Sequence, residues 1–195
     1  MSTTEQDIEQ AKDVYSTHVI VDHGPGRWLM KRADGCGNFW TEVIVGEAGT
    51  VIVHGDGPNM VFRSWGRRTY AHRLIGWVGN SNLGYIAEKI VCGEWSVYDE
   101  DQARQDVCDS LENYAEGSEI RRELVDLLTK DFYHSSTWAN DAALHGRLFE
   151  IDCNGEWNVG HRPAWNLIAA CAACSRLAEL LDEQRLDEAQ KVKST

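Results

Sequence analysis

The sequence predicts an α+β fold: an N-terminal helix, an antiparallel β-meander of about four strands, then a mostly helical C-terminal half. Two observations carry this. Between Arg27 and Trp65 apolar residues recur every second position in short runs broken by glycine-rich turns. Beyond Trp65 the apolar spacing becomes mostly helical. Strands followed by helices, rather than alternating with them, indicate α+β architecture.

Taken in order, TEQDIEQAKDVYS (4–16) reads as a short polar helix with Ile8, Val14 and Tyr15 as its apolar contacts. HVIVDHG is an extended piece that ends at the Gly24-Pro25-Gly26 turn. RWLMKRAD, NFWTEVIVG, TVIVHG and NMVFRSW are the four meander strands, joined through GCG, EAG and GDGP. RRTYAHRLIGWVG has Tyr70, Leu74, Trp77 and Val78 at helical spacing. SNLGYIAEKIVCG reads as a second helix, with Ser81 as N-cap and Gly93 at its end. An acidic helix is expected over 99–116, with Cys108, Leu111 and Ala115 facing the core. SEIRRELVDLLTK adds a helix with Ile120, Leu124, Leu127 and Leu128 on one face, and SSTWANDAALHG a weaker one. LFEIDCNGEWNVG reads as a strand pair or ordered loop. PAWNLIAACAACSRLAELLDEQ is the strongest helix, Pro163 lying near its first turn, and the last dozen residues are expected to fray.

The 195 residues suffice for one substantial core, and a single domain spanning 1–195 is expected, with possible subdomains 1–95 and 96–195. The net charge of −12 is uneven: residues 1–95 carry 9 Lys/Arg against 11 Asp/Glu, residues 96–195 carry 10 against 20. Such a chain is repelled by DNA and RNA and suited to a basic protein partner. The N-terminus lacks the basic and apolar segments of a secretory signal, and no apolar run reaches the ~18 residues of a membrane span. With six scattered cysteines, reduced thiols in a cytoplasm are expected.

Cys171-Ala-Ala-Cys174 has C-x-x-C spacing but no second ligand pair for zinc, and lies within an alanine-rich helix rather than at the N-terminus where thiol pKa falls. It reads as small residues that let two helices approach closely. The run VIVHGDGPNMVF (51–62) reads as a hairpin: turn chemistry accounts for Gly55, Asp56 and Gly57, and leaves His54 a strand histidine. Asp22-His23 beside Gly24-Pro25-Gly26 is a minor candidate for an acid/base pair on a loop. No residue set has the spacing of a catalytic motif, a metal site or a cofactor site. None is expected.

Two charged clusters remain. Arg63, Arg67, Arg68, His72 and Arg73 lie at the strand-to-helix junction among Trp65, Tyr70 and Trp77, and are the candidates for binding an anion such as a nucleotide. Asp101, Asp106, Asp109 and Glu112, on the acidic helix, are the candidates for contact with a protein partner.

Trp28 and Arg32, the GCGNFW run ending at Trp40, Gly49 to Gly57, IGWVGNSNLGYIAEKIVCG (75–93) and HRPAWNLIAACAAC (161–174) together resemble an uncharacterised family of bacteriophage and prophage accessory proteins. The resemblance implies a phage accessory gene. By analogy with phage proteins of this size, it implies interference with host machinery, including immune systems. The expected function is non-enzymatic binding, in the host cytoplasm, of a host defence component such as a CRISPR effector. The alternatives are a sponge for a nucleotide second messenger using Arg63–Arg73, and an enzyme whose Cys/His site assembles only in three dimensions.

Overall fold

In the computed structural model, residues 4–35, 40–64, 70–131, 141–155 and 159–193 are described. The fold is α+β: an N-terminal helix, a six-stranded antiparallel meander, and a mostly helical C-terminal region ending in a long helix. The chain divides into two compact units, Met1–Trp95 with Pro163–Thr195, and Ser96–Arg162. No helix among the described residues is long and apolar enough to cross a membrane.

The first unit holds α1 (Thr4–Ser16), β1 (His18–Gly24), β2 (Arg27–Arg32), β3 (Thr41–Val45), β4 (Thr50–Gly55), β5 (Asn59–Arg63), α2 (Ala71–Asn80), α3 (Leu83–Ala87) and β6 (Ile90–Cys92). The final helix, Trp165–Lys193, also belongs here. The strands lie in sequence order across the sheet. The meander is thus longer than the four strands expected, by one at each end. HVIVDHG pairs with β2 to become β1. Ile90–Cys92, expected as the end of a helix, adds to the edge of β5 instead. The β5 edge offers hydrogen-bond partners to a β-branched pair, Ile90-Val91, and this outweighs a weak helical preference. The helix that remains, α3, starts at Asn82 rather than Ser81: the Asn82 carboxamide oxygen accepts the Gly84 N–H at 2.8 Å.

Alternation sends Met30, Val43, Val51, Val53, Met60 and Phe62 to one sheet face, where they are fully buried. Leu74, Ile75 and Val78 of α2, Leu167, Ala170, Cys174 and Leu177 of the final helix, and Tyr15 of α1 complete that core. The Tyr15 hydroxyl meets Thr41 Oγ1 at 3.1 Å, and burial pushes its pKa up to about 12.

The second unit holds α4 (Glu100–Ser110), α5 (Glu119–Asp126), which widens into a π-type turn over Leu127–Asp131, and α6 (Asp141–Ile151). A two-stranded sheet pairs β7 (Ser96–Tyr98) with β8 (His161–Pro163). With α6 counted, the final helix is α7. Ala103, Val107, Leu124, Leu127, Leu144, Leu148, Ile151 and Val159 form a separate core. Residues 148–151, expected as strand or loop, continue α6, because Leu144, Leu148 and Ile151 repeat at four and three residues and bury one helical face.

The acidic helix is shorter than 99–116: it ends at Ser110, followed by a 3-10 turn over Leu111–Asn113. Its buried residues are Ala103 and Val107, four apart. Cys108, expected to face the core, sits about 100° further round and is exposed, as is Ala115, while Leu111 is half-buried.

Candidate functional site

Three constellations of polar side chains stand out, two in the first unit and one in the second.

The first lies on the sheet face away from the helices. Glu42 on β3 is directly opposite His54 on β4. Glu42 is only 8% exposed, and its Oε2 accepts a hydrogen bond from His54 Nε2 at 2.6 Å. Its Oε1 accepts from Arg27 Nε, and Arg27 in turn donates to Asp22 at 3.2 Å. Burial would raise the Glu42 carboxyl, but the hydrogen bonds and charges of His54 and Arg27 outweigh it and hold the group below its ordinary value. The Trp40 ring meets His54 edge-on at 5.3 Å.

VIVHGDGPNMVF is therefore a hairpin, and its histidine has a carboxylate partner. The turn glycine is required by a close approach. A Cβ on Gly55 would lie 2.1 Å from the Trp40 carbonyl oxygen. Asp56 closes the same contact, its carboxylate accepting the Trp40 N–H at 3.2 Å and its own N–H donating to the Trp40 carbonyl at 3.1 Å. Asp22 and His23 lie on β1 rather than on a loop, and neighbouring strand positions point to opposite faces, so they do not form a pair.

The second constellation surrounds the start of α2. Tyr70 precedes the helix without a side-chain cap, and its first turn contains no acidic residue. The Arg73 guanidinium lies over the Tyr70 ring at 5.5 Å, and the Tyr70 and His72 rings are 6.1 Å apart. Arg185 of α7 donates from Nη2 to His72 Nδ1 at 3.2 Å. Desolvation, then the charges of Arg185 and Arg73, lower the His72 pKa, while Asp182 acts in the opposite sense. His72 is thus held neutral, as an acceptor. A recess of about 310 Å³ is lined by Trp28, Tyr70, Ala71, His72, Leu181, Gln184 and Arg185. Of the basic residues singled out in the sequence, His72 and Arg73 come together here. Arg63 follows the core residue Phe62 on β5, so alternation turns it to the opposite sheet face. Arg67 and Arg68 lie outside the described residues. Arg185 and Trp28 were missed, because they stand 112 and 45 residues from Arg73 in sequence; no local signal links them.

The third constellation is acidic. Asp99 caps α4, accepting the Gln102 N–H at 3.0 Å and pairing with Arg162 at 2.8 Å. Asp101 is exposed in the first turn, where a carboxylate complements the helix dipole. Asp106 is half-buried and committed to the fold: it accepts the Gly160 N–H at 2.8 Å and the Gln102 side-chain amide at 2.7 Å. Asp109 is exposed in the last turn of α4 and Glu112 in the 3-10 turn that follows, and among the described residues only Gln105 bonds to the Asp109 side chain, at 2.7 Å. Among the described residues neither Asp109 nor Glu112 is in an ion pair. The second unit carries 15 Asp/Glu against 6 Lys/Arg, a net of −9 out of −12.

Cys171 and Cys174 are buried on α7, and burial pushes the Cys171 thiol up to about 12 and Cys174 well above its ordinary value. Burial thus disfavours the thiolate at both positions, the opposite of what an activated nucleophile requires. They serve the close crossing of α2 and α7, where a Cβ on Gly79 would lie 2.8 Å from the Cys174 carbonyl carbon. Among the described residues no group of three His, Cys, Asp or Glu is placed to hold a metal ion. No protein-family model matches the chain, and no curated protein or solved structure is significantly similar to it.

Proposed function

We propose that the chain is a non-enzymatic binding protein whose acidic second unit docks on a basic protein surface. In the phage setting that the sequence resemblance implies, this surface belongs to a host defence component such as a nucleic-acid-binding effector. The observation that carries the reading is the placement of Asp109 and Glu112. Asp99, Asp101 and Asp106 each have a use within the fold, as cap, dipole complement and anchor for Gly160. Among the described residues Asp109 has only the hydrogen bond of exposed Gln105 on its own helix, and Glu112 is in no ion pair. They stand at the negative end of α4, whose last turn has no basic residue, so the helix dipole opposes them. A residue that works against its own helix is best explained by a contact outside it.

The test follows from that conflict. Asp109→Lys with Glu112→Lys should raise the melting temperature slightly, because each reversal is worth about 0.3–1 kcal/mol at a helix C-terminus. The same variant should lose the basic protein that the wild-type chain retains from a bacterial host extract. Duplex DNA should displace that partner from the wild type, since both compete for one basic groove. A stabilised variant that retains the same partner would remove the acidic-docking reading.

A further inference from the structure

The recess beside α2 belongs to the first unit, and it carries an electrostatic conflict of its own. Arg73 lies in the first turn of α2, where the dipole disfavours a cation, and the Arg185 guanidinium of α7 is brought against His72, the residue next to it. Among the described residues neither arginine is in an ion pair. Arg73 rests on the Tyr70 ring, and Arg185 donates to a neutral imidazole. Both cations thus act on His72 while held by uncharged partners: Arg185 lines a recess of about 310 Å³ with Trp28, Tyr70 and Leu181 in its walls, and Arg73 reaches it through the Tyr70 ring. That volume is at the lower end of small-molecule pockets. Tyr70, 59% exposed, leaves an aromatic surface open beside them.

We infer that this recess binds a small aromatic anion of the nucleoside monophosphate class. Arg73 and Arg185 receive the phosphate, and Tyr70 and Trp28 receive the planar base. Guanidinium groups match phosphate oxygens in geometry as well as charge, and aromatic side chains stack bases of any sequence. A terminal phosphate, with up to two negative charges, suits two unpaired guanidinium groups better than a singly charged diester. The ring is needed as well, because a protein of net charge −12 repels a bare anion. Asp182, which acts on His72 from the same helix as Arg185, sharpens the requirement: the ligand's charge must meet the arginines and avoid that carboxylate.

Isothermal titration of the full chain at low salt tests the inference, with adenosine, guanosine and uridine monophosphates as ligands. Adenosine, inorganic phosphate and a phosphodiester-linked dinucleotide form separate arms. A monophosphate should bind, and adenosine and phosphate alone should each bind at least about tenfold more weakly. Arg185→Gln and Tyr70→Ala should each weaken the monophosphate about tenfold with little change in melting temperature, since both residues are exposed. Three results would overturn the inference: no monophosphate binding at millimolar concentration, phosphate or the linked dinucleotide binding as tightly as the monophosphate, or both variants binding like wild type. None of these bears on the Asp109 and Glu112 experiment, so the two readings fail separately.

Discussion

Glu42 receives hydrogen bonds from both His54 and Arg27 while almost excluded from solvent. Desolvation alone would raise its pKa; the two donors reverse the sign. A carboxyl whose pKa is lower folded than unfolded stabilises the fold fully above its unfolded value. That contribution is lost as pH falls through the folded value. Stability should therefore decline as pH drops below the ordinary carboxyl value of 4.5, and Glu42→Gln should flatten that acid limb while costing stability at pH 7. Thermal melts of both proteins between pH 7 and 3 decide it; parallel curves would mean that Glu42 contributes nothing specific. His54→Gln should do much less, since its amide can still donate to Glu42. The sequence shows His54 without a partner because Glu42 is twelve residues away. The signal was there in the register: once the Glu47–Gly49 turn sets Val45 against Val51, position 42 must face 54.

At the scale of elements, α2 crosses α7 at a point set by one of its two internal glycines. A Cβ at Gly79 would lie 2.3 Å from the Ser175 backbone nitrogen, and backbone cannot move aside as a flexible side chain can. A Cβ at Gly76, one turn away, would meet only Asn80 at 3.7 Å and Ala178 at 3.9 Å, which is ordinary contact. The same substitution should thus have opposite signs. Gly76→Ala should stabilise by about 0.5–1 kcal/mol through helix propensity, whereas Gly79→Ala should destabilise by about 1–3 kcal/mol through overpacking. Urea melts of the two variants measure this, and a common sign would refute the crossing geometry. The helices themselves were legible from apolar spacing, and the small residues at 171–175 suggested a close crossing. Which helix fills it is not local information. The same limit explains β6: Ile90–Cys92 joins a sheet edge built thirty residues earlier, and nothing in its own residues announces that edge.

For the whole molecule, charge and chain path divide differently. The step in charge at residue 96 is plain in the sequence. The return of the chain at Pro163 to complete the first unit is not, because an apolar helix face pairs with any core of suitable shape. The result leaves a net of −9 on the second unit and −3 on the first. Like charge opposes compaction, and the opposition is relieved when salt shortens the screening distance from about 30 Å at 0.01 M to about 8 Å at 0.15 M. Among the described residues the second unit also has the smaller core, built from eight buried apolar residues against nineteen in the first. The two cores share no residue, so local opening of one need not expose the other. Raising ionic strength over that range should therefore slow amide hydrogen exchange in 96–162 more than in the first unit, with the largest gain on α4 and α5, where surface carboxylates crowd. A uniform change across both units would show that the segregated charge does not strain the acidic unit. A larger gain in the first unit would show that Arg73 and Arg185, rather than the carboxylates, dominate the electrostatics of folding.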